Sequence, residues 1–203
     1  MLSPLAYYDS LYVVSSLGDT QPPPGFGDVH VVAYLACLLS LYDGNPISMW
    51  GYQLAMAEGR PFSAALEDAI DRLQSLGCIS QGEHGELTPT EAARAELSSL
   101  AKLRSFSKRE PFLSGACSAV LTQPAGIARN ALLHDPQLRP LNRLGSSRML
   151  FQEPGIGQLY RQFDELRQGI QFQPSELMVP AVLWLAYFDH VAALETGDQD
   201  AEG

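Results

Sequence analysis

The chain is poor in lysine: its 203 residues contain only Lys102 and Lys108. Neither lysine follows a glycine-rich loop, which excludes a Walker-type phosphate-binding loop, because that loop needs a lysine to reach the nucleotide phosphates. The paired glycines at 25–27 and 155–157 lack the third glycine of a dinucleotide-binding fingerprint, so they are more typical of turns. We therefore expect no nucleotide cofactor.

Arrangements typical of metal and catalytic sites are also missing from the sequence. The four histidines include no pair at metal-ligand spacing, and no serine or cysteine lies in a Gly-x-Ser-x-Gly pattern. His134 and Asp135 are better explained as a helix end before Pro136 than as an acid–base pair. The three cysteines are odd in number and far apart, which predicts reduced thiols. We expect no metal, no cofactor and no enzymatic activity.

No apolar run is long enough for a membrane span. The most hydrophobic segment, 177–188, has twelve residues, against the roughly 20 that a transmembrane helix needs. The first residues carry no positive charge before their apolar run, so they do not form a secretory signal. These features predict a cytoplasmic protein without membrane contact.

Charge is unevenly distributed along this acidic chain. The formal net charge is −10, which disfavours unaided binding to nucleic acid or to an anionic membrane. Residues 1–100 hold three basic and twelve acidic side chains, whereas residues 102–148 hold eight basic and two acidic ones. The middle of the chain is therefore locally basic.

The sequence pattern predicts a mainly α fold with a small β-hairpin wing, namely a winged-helix unit followed by a C-terminal helical region. We divide the chain into an N-terminal arm and proline-rich linker (1–27), a winged-helix domain (28–103), a helical extension (104–194) and a disordered acidic tail (195–203). Residues 1–20 are apolar and ambiguous between helix and strand. Pro22, Pro23 and Pro24 interrupt regular structure after them.

The winged-helix prediction depends on the order of elements between residues 29 and 103. A buried helix is expected at 29–42, a short helix at 48–58 ended by Gly59, and a third helix capped by Ser63. That third helix has an apolar stripe formed by Leu66, Ile70, Leu73 and Leu76. A hairpin at 78–87 follows, and the capping box from Thr88 to Glu91 predicts a helix beginning at Pro89.

The outer face of the third helix is acidic, with Glu67, Asp68 and Asp71 against the single base Arg72. A DNA-reading winged helix presents this face to phosphates, and DNA affinity normally comes from several Lys or Arg contacts. The face is therefore either solvated or a surface for docking another protein.

A cluster of basic side chains begins after the fourth predicted helix of this unit. Three interpretations stay open: ion pairs with the acidic half of the chain, contact with the acidic surface of a partner, and contact with nucleic acid. The candidate residues are Lys102, Arg104, Lys108, Arg109, Arg139, Arg143 and Arg148.

The last predicted helix is rich in aromatic side chains. Trp184, Tyr187 and Phe188 either belong to the core or form an apolar surface that docks on a partner subunit. The sequence does not separate these two possibilities.

Four segments, "AYLACLLSLYDGNPISMWGY", "RPFSAALEDAIDRLQSLGCI", "REPFLSGA" and "ELMVPAVLWLAYF", together resemble the middle component of bacterial ABC-three-component anti-phage systems, the group that includes Lamassu. The resemblance implies a small winged-helix accessory subunit that works with an SMC-like ATPase and an effector, commonly a nuclease. It supplies no active-site residues. DNA contact through the complex and a homodimer are compatible with it, and a winged-helix transcriptional regulator is the alternative.

Overall fold

The computed structural model describes residues 2–123, 131–132, 135, 138, 148–152, 155–169 and 177–199. Its helices are α1 (Pro4–Leu17), α2 (Phe26–Tyr42), α3 (Ala64–Ser75), α4 (Glu91–Leu100), α5 (Arg104–Ser107), α6 (Glu110–Leu121), α7 (Gly155–Gly169) and α8 (Met178–Gln199). Its strands are β1 (Ala55–Ala57), β2 (Arg60–Phe62), β3 (Ile79–Gln81), β4 (Leu87–Pro89) and β5 (Arg148–Met149).

Helix α2 forms the centre of the molecule. Every side chain from Val29 to Leu41 is buried, and the helix contacts α1, α3, α6, α7, α8 and strand β2. A helix that is apolar on all sides has no face suited to solvent, so neighbours cover it all round. The predicted buried helix at 29–42 is confirmed, and it begins three residues earlier, at Phe26.

The expected N-terminal arm of residues 1–27 is wrong for residues 4–17, which form the core helix α1. Ser3 caps this helix by accepting a 3.3 Å hydrogen bond from the Ala6 amide, and Pro4 occupies its first turn. Helix α1 packs against α2, α3, α4, α6 and β4. Its apolar residues occur on several faces because several elements surround it.

The predicted short helix at 48–58 is also wrong. A 3₁₀ turn at Ile47–Met49 is followed by the antiparallel hairpin β1–β2. Glu58 and Gly59 at its tip have φ angles of 49° and 73°, the backbone of a tight two-residue hairpin turn, which a helix cannot contain. Strand β5 pairs with the other edge of β1, which gives a sheet with the order β2-β1-β5.

Helix α3 carries most of the predicted apolar stripe. Leu66, Ile70 and Leu73 are buried, whereas Leu76 is 48% exposed because it lies at the C-cap, where the helix ends. Ser63 is the N-cap residue, but its hydroxyl makes no capping bond, and its amide donates to His30 Nδ1 at 3.1 Å. Gly77, with φ of 69°, follows the C-cap and stops the helix.

The predicted wing is present as the antiparallel pair β3–β4, with Ile79 opposite Pro89. The predicted capping box is wrong, because Thr88 and Pro89 belong to β4 and α4 begins at Glu91. The Thr90 hydroxyl donates to the carbonyl of Gly77 at 2.8 Å, so it fixes the start of the wing and does not cap α4. The predicted fold class, mainly helical with a small antiparallel wing, is confirmed.

Helices on both sides of the predicted boundary at 103/104 share one core. Helix α6 packs against α1 and α2, and α8 packs against α6. Gly115 permits this last contact, since a Cβ atom there would lie 3.0 Å from the Leu177 Cβ. The disordered tail expected from residue 195 is wrong for 195–199, where α8 continues to Gln199; residues 200–203 lie outside the described residues.

Candidate interaction surfaces

The acidic face predicted on α3 lies at the surface. Asp68 and Asp71 are exposed and Glu67 is half-buried, because Leu66, Ile70 and Leu73 orient the opposite side of the helix towards the core. Within the described part of the chain, no cation forms an ion pair with any of these three carboxylates. Their charge therefore acts outward, so this face repels phosphate and attracts a basic surface.

The predicted basic cluster is divided by the fold. Lys102, Arg104 and Lys108 are exposed on the connection from α4 to α6, and Leu103 among them is 52% exposed. Arg148 is exposed in β5. Arg139 and Arg143 lie outside the described residues.

Arg109 is wrong as a surface candidate, because only 6% of it is exposed. Its Nε donates to Asp9 Oδ1 at 2.8 Å, and one terminal nitrogen donates to Asp9 Oδ2. The other terminal nitrogen donates to the Trp50 carbonyl at 2.8 Å, and the guanidinium lies 3.8 Å from the centroid of the Trp50 ring. Arg109 therefore forms an internal ion pair, which is one of the three interpretations left open for the basic cluster.

Asp9 completes a buried polar cluster that joins α1, α6 and the segment between α2 and β1. The Tyr52 hydroxyl donates to Asp9 Oδ2 at 2.7 Å. Burial raises the pKa of the Asp9 carboxyl, and the hydrogen bonds from Arg109 and Tyr52 oppose that rise. The sequence prediction missed Asp9 and Tyr52, although a lone carboxylate within the apolar run 4–17 was a signal of a buried partner.

Two of the three aromatic candidates on α8 belong to the core. The ring centroid of Trp184 lies 4.9 Å from those of both Phe163 and Phe188, and Trp184 and Phe188 are buried. Phe188 is wrong as a partner-binding residue, and Trp184 is mainly a core residue whose remaining surface lines the cleft between α7 and α8. Tyr187 is 54% exposed and therefore stays a candidate for partner binding.

Tyr187 lines an open cleft of about 260 Å³ between α7 and α8. Leu183, one turn before it and 40% exposed, lies on the same side of the helix. The other lining residues are Gln162, Glu165, Leu166 and Trp184. The lining of the cleft is mostly apolar, with Gln162 and Glu165 as the polar members, a composition that suits a protein side chain. Leu183 is not among the residues predicted from the sequence, because an exposed leucine and a buried leucine of one apolar helix have the same pattern.

The three cysteines and His30 are buried. Burial raises the pKa of the Cys117 thiol to about 12 and that of Cys37 well above its usual value, so both thiols stay protonated and unreactive. Burial, with a smaller contribution from Arg60, lowers the pKa of His30 to about 4. Asp135 is buried and accepts a 2.9 Å hydrogen bond from the Tyr34 hydroxyl, while His134 lies outside the described residues. Among the described residues, no three His, Cys, Asp or Glu side chains are grouped to hold a metal ion.

No protein-family model matches the chain, and comparisons with curated proteins and with solved structures gave no significant match either. Across the described ranges, no helix combines the length and the apolar character required to cross a membrane.

Proposed function

We propose that this chain is a non-catalytic adaptor subunit that docks on other proteins through its surface. The observation that carries the proposal is the outer face of α3, the helix before the wing. In a DNA-reading winged helix this face holds cations, whereas here it holds Glu67, Asp68 and Asp71 without ion-pair partners among the described residues. Such a face favours a basic protein surface over nucleic acid.

The cleft between α7 and α8 supports the same proposal by a different kind of contact. Leu183 and Tyr187 expose apolar area beside a tightly packed aromatic cluster. An apolar patch on a rigid support is typical of a protein-binding surface, and tyrosine is enriched in such surfaces. An adaptor needs two separate docking surfaces, and α3 and the α7–α8 cleft supply one each.

The resemblance to ABC-three-component systems gives the proposal its finer form. In that form the partners are an SMC-like ATPase and an effector, commonly a nuclease, and the assembly acts against phage or plasmid DNA. The alternative, a transcriptional regulator that reads DNA through α3, is disfavoured by the charge of that helix.

Co-expression with the proteins encoded beside it tests this proposal. We expect the tagged chain to retain both an ATPase and an effector through size-exclusion chromatography, and to retain them as well in a variant with Cys37→Ala, which leaves the surface unchanged. Recovery of the chain alone at micromolar concentration would contradict the adaptor role. Tight, sequence-dependent binding to duplex DNA by the isolated chain would favour the regulator.

A further inference from the structure

A second exposed surface of this chain has the opposite charge to α3. Residues 97–109 contain no acidic side chain, although the chain has 23 Asp and Glu residues, and both lysines of the chain lie within them. Lys102, Arg104 and Lys108 are exposed, and within the described residues none of them forms an ion pair. We call these three residues the basic corner.

The local backbone places the three cations close together. Arg104 begins the short helix α5, and Lys108 is its C-cap residue with helical backbone angles. Residues four apart on a helix lie on one face, separated by about 6 Å along the axis. Lys102 lies two residues before Arg104, and the exposed Ser105 adds a hydroxyl group. Lysine, arginine and serine side chains are the groups that usually contact nucleic-acid phosphates.

We propose that the basic corner binds the sugar–phosphate backbone of duplex DNA without reading its sequence. Its cations have no internal partner in the described part of the chain, so contact with phosphate costs no existing ion pair. An acidic protein surface would use the same cations but would also cover the exposed Leu103, so the contribution of Leu103 to binding distinguishes the two kinds of partner. The inference goes beyond the proposed adaptor function and is independent of it, because different residues carry partner docking and DNA binding.

The salt dependence of binding follows from the number of cations. Each phosphate contact contributes about −0.9 to the slope of log affinity against log salt concentration, so three contacts give a slope of about −2.7. Between 50 and 200 mM salt the affinity should then fall about 40-fold. The net charge of −10 opposes binding, so the contact is expected to be weak and measurable at low salt.

Fluorescence anisotropy with two labelled duplexes of unrelated sequence tests the proposal on the full chain. We expect equal affinity for both duplexes and the predicted slope. The triple variant Lys102→Gln, Arg104→Gln, Lys108→Gln should abolish binding. The matched control Arg72→Gln, Arg161→Gln, Arg167→Gln changes the net charge equally at exposed arginines elsewhere, and should retain the slope. Thermal melts of both variants check that they fold.

Three results would overturn the proposal. The first is absence of duplex binding at low salt, and the second is an equal loss in the control triple, which would mean that only net charge matters. The third comes from Leu103→Ser, which should leave DNA binding unchanged. If this variant weakens DNA binding as strongly as the triple variant does while its thermal melt is unchanged, the three cations alone do not account for the binding, and the proposal of a phosphate contact fails.

Discussion

The Nε atom of Arg109 lies 2.8 Å from Oδ1 of Asp9, one hundred residues earlier in the chain. Both side chains are buried, so the contact ties the first helix to the start of the sixth inside the core. Tyr52 and the Trp50 carbonyl add hydrogen bonds to the pair, so the two opposite charges are compensated inside the core. The cluster therefore fixes the position of α1 against the rest of the protein.

Asp9→Asn should destabilise the protein by about 3–5 kcal/mol, since removing one charge of a buried pair leaves the other uncompensated. The free energy of unfolding from urea denaturation, followed by circular dichroism, measures this loss.

The control for this prediction is the double variant Asp9→Leu, Arg109→Met, which removes both charges and keeps an apolar filling. It should be more stable than Asp9→Asn, because no isolated charge remains in the core. If the free energy of unfolding of the Asp9→Asn variant lies within about 0.5 kcal/mol of the native value, the ion pair contributes little to folding.

Much of the fold could be predicted from local pattern, and the exceptions have physical causes. The buried helix α2 follows from the length of its apolar run, the stripe on α3 from apolar periodicity, and the β3–β4 wing from glycine positions. Helix α1 was missed because a helix covered on several faces has no polar side to produce a periodicity. The β1–β2 hairpin was missed because its strands are three residues long and its partner β5 lies almost a hundred residues away.

His30 should make stability depend on pH. Its pKa is about 4 in the folded chain and 6.5 when unperturbed, so the unfolded state binds more protons between these values. The free energy of unfolding is therefore highest above about pH 6.5, where His30 is neutral in both states, and it falls as the pH drops towards 4. This difference between the two pKa values of His30 corresponds to a loss of stability on the order of 3 kcal/mol.

His30→Asn isolates this effect from the carboxylates that titrate in the same range. The asparagine oxygen can still accept the hydrogen bond from the Ser63 amide, but it does not ionise. The stability difference between the native chain and this variant should shrink from pH 7 to pH 4.5. A difference that stays constant over that interval would rule out the depressed pKa.

Gly18→Ala should destabilise the protein by about 1–3 kcal/mol through overpacking. Gly18 has an ordinary helical φ, but a Cβ atom there would lie 2.2 Å from Cδ of Pro89, so the end of α1 and strand β4 must separate. Thermal unfolding measures the loss. Asp19→Ala, at the exposed neighbouring position, serves as the control and should be nearly neutral. A Gly18→Ala variant as stable as this control would mean that α1 does not pack on the wing.

Tyr187→Ser and Leu183→Ser should weaken partner docking while leaving the unfolding temperature almost unchanged, because both side chains are already partly in water. Trp184→Ala is the contrast, with an expected loss of about 3–5 kcal/mol, since it empties a space between Phe163 and Phe188. Calorimetry and pull-down with the co-expressed partners measure the two properties separately. Serine variants that bind partners as the native chain does would exclude the α7–α8 cleft as a docking surface.

The candidate surfaces were predictable only in part, because sequence shows charge but not which side of an element is covered. The acidic face of α3 could be found because its apolar stripe fixes the opposite side. Arg109 and Lys108 are neighbours in a basic run, yet one is interior and the other exposed, since only Arg109 meets Asp9 and Trp50. That difference depends on α1, which no local pattern connects to residue 109.

The most direct test of the adaptor account is the affinity of the chain for its co-purifying partners after charge reversal on α3. The triple variant Glu67→Lys, Asp68→Lys, Asp71→Lys should weaken binding by at least tenfold in isothermal titration calorimetry, and added salt should weaken native binding too. The control Asp43→Lys, Glu83→Lys, Asp189→Lys makes the same change of net charge at exposed positions elsewhere and should bind normally. Unchanged affinity of the α3 variant, with its fold intact, would contradict the account and leave this face a solvated surface.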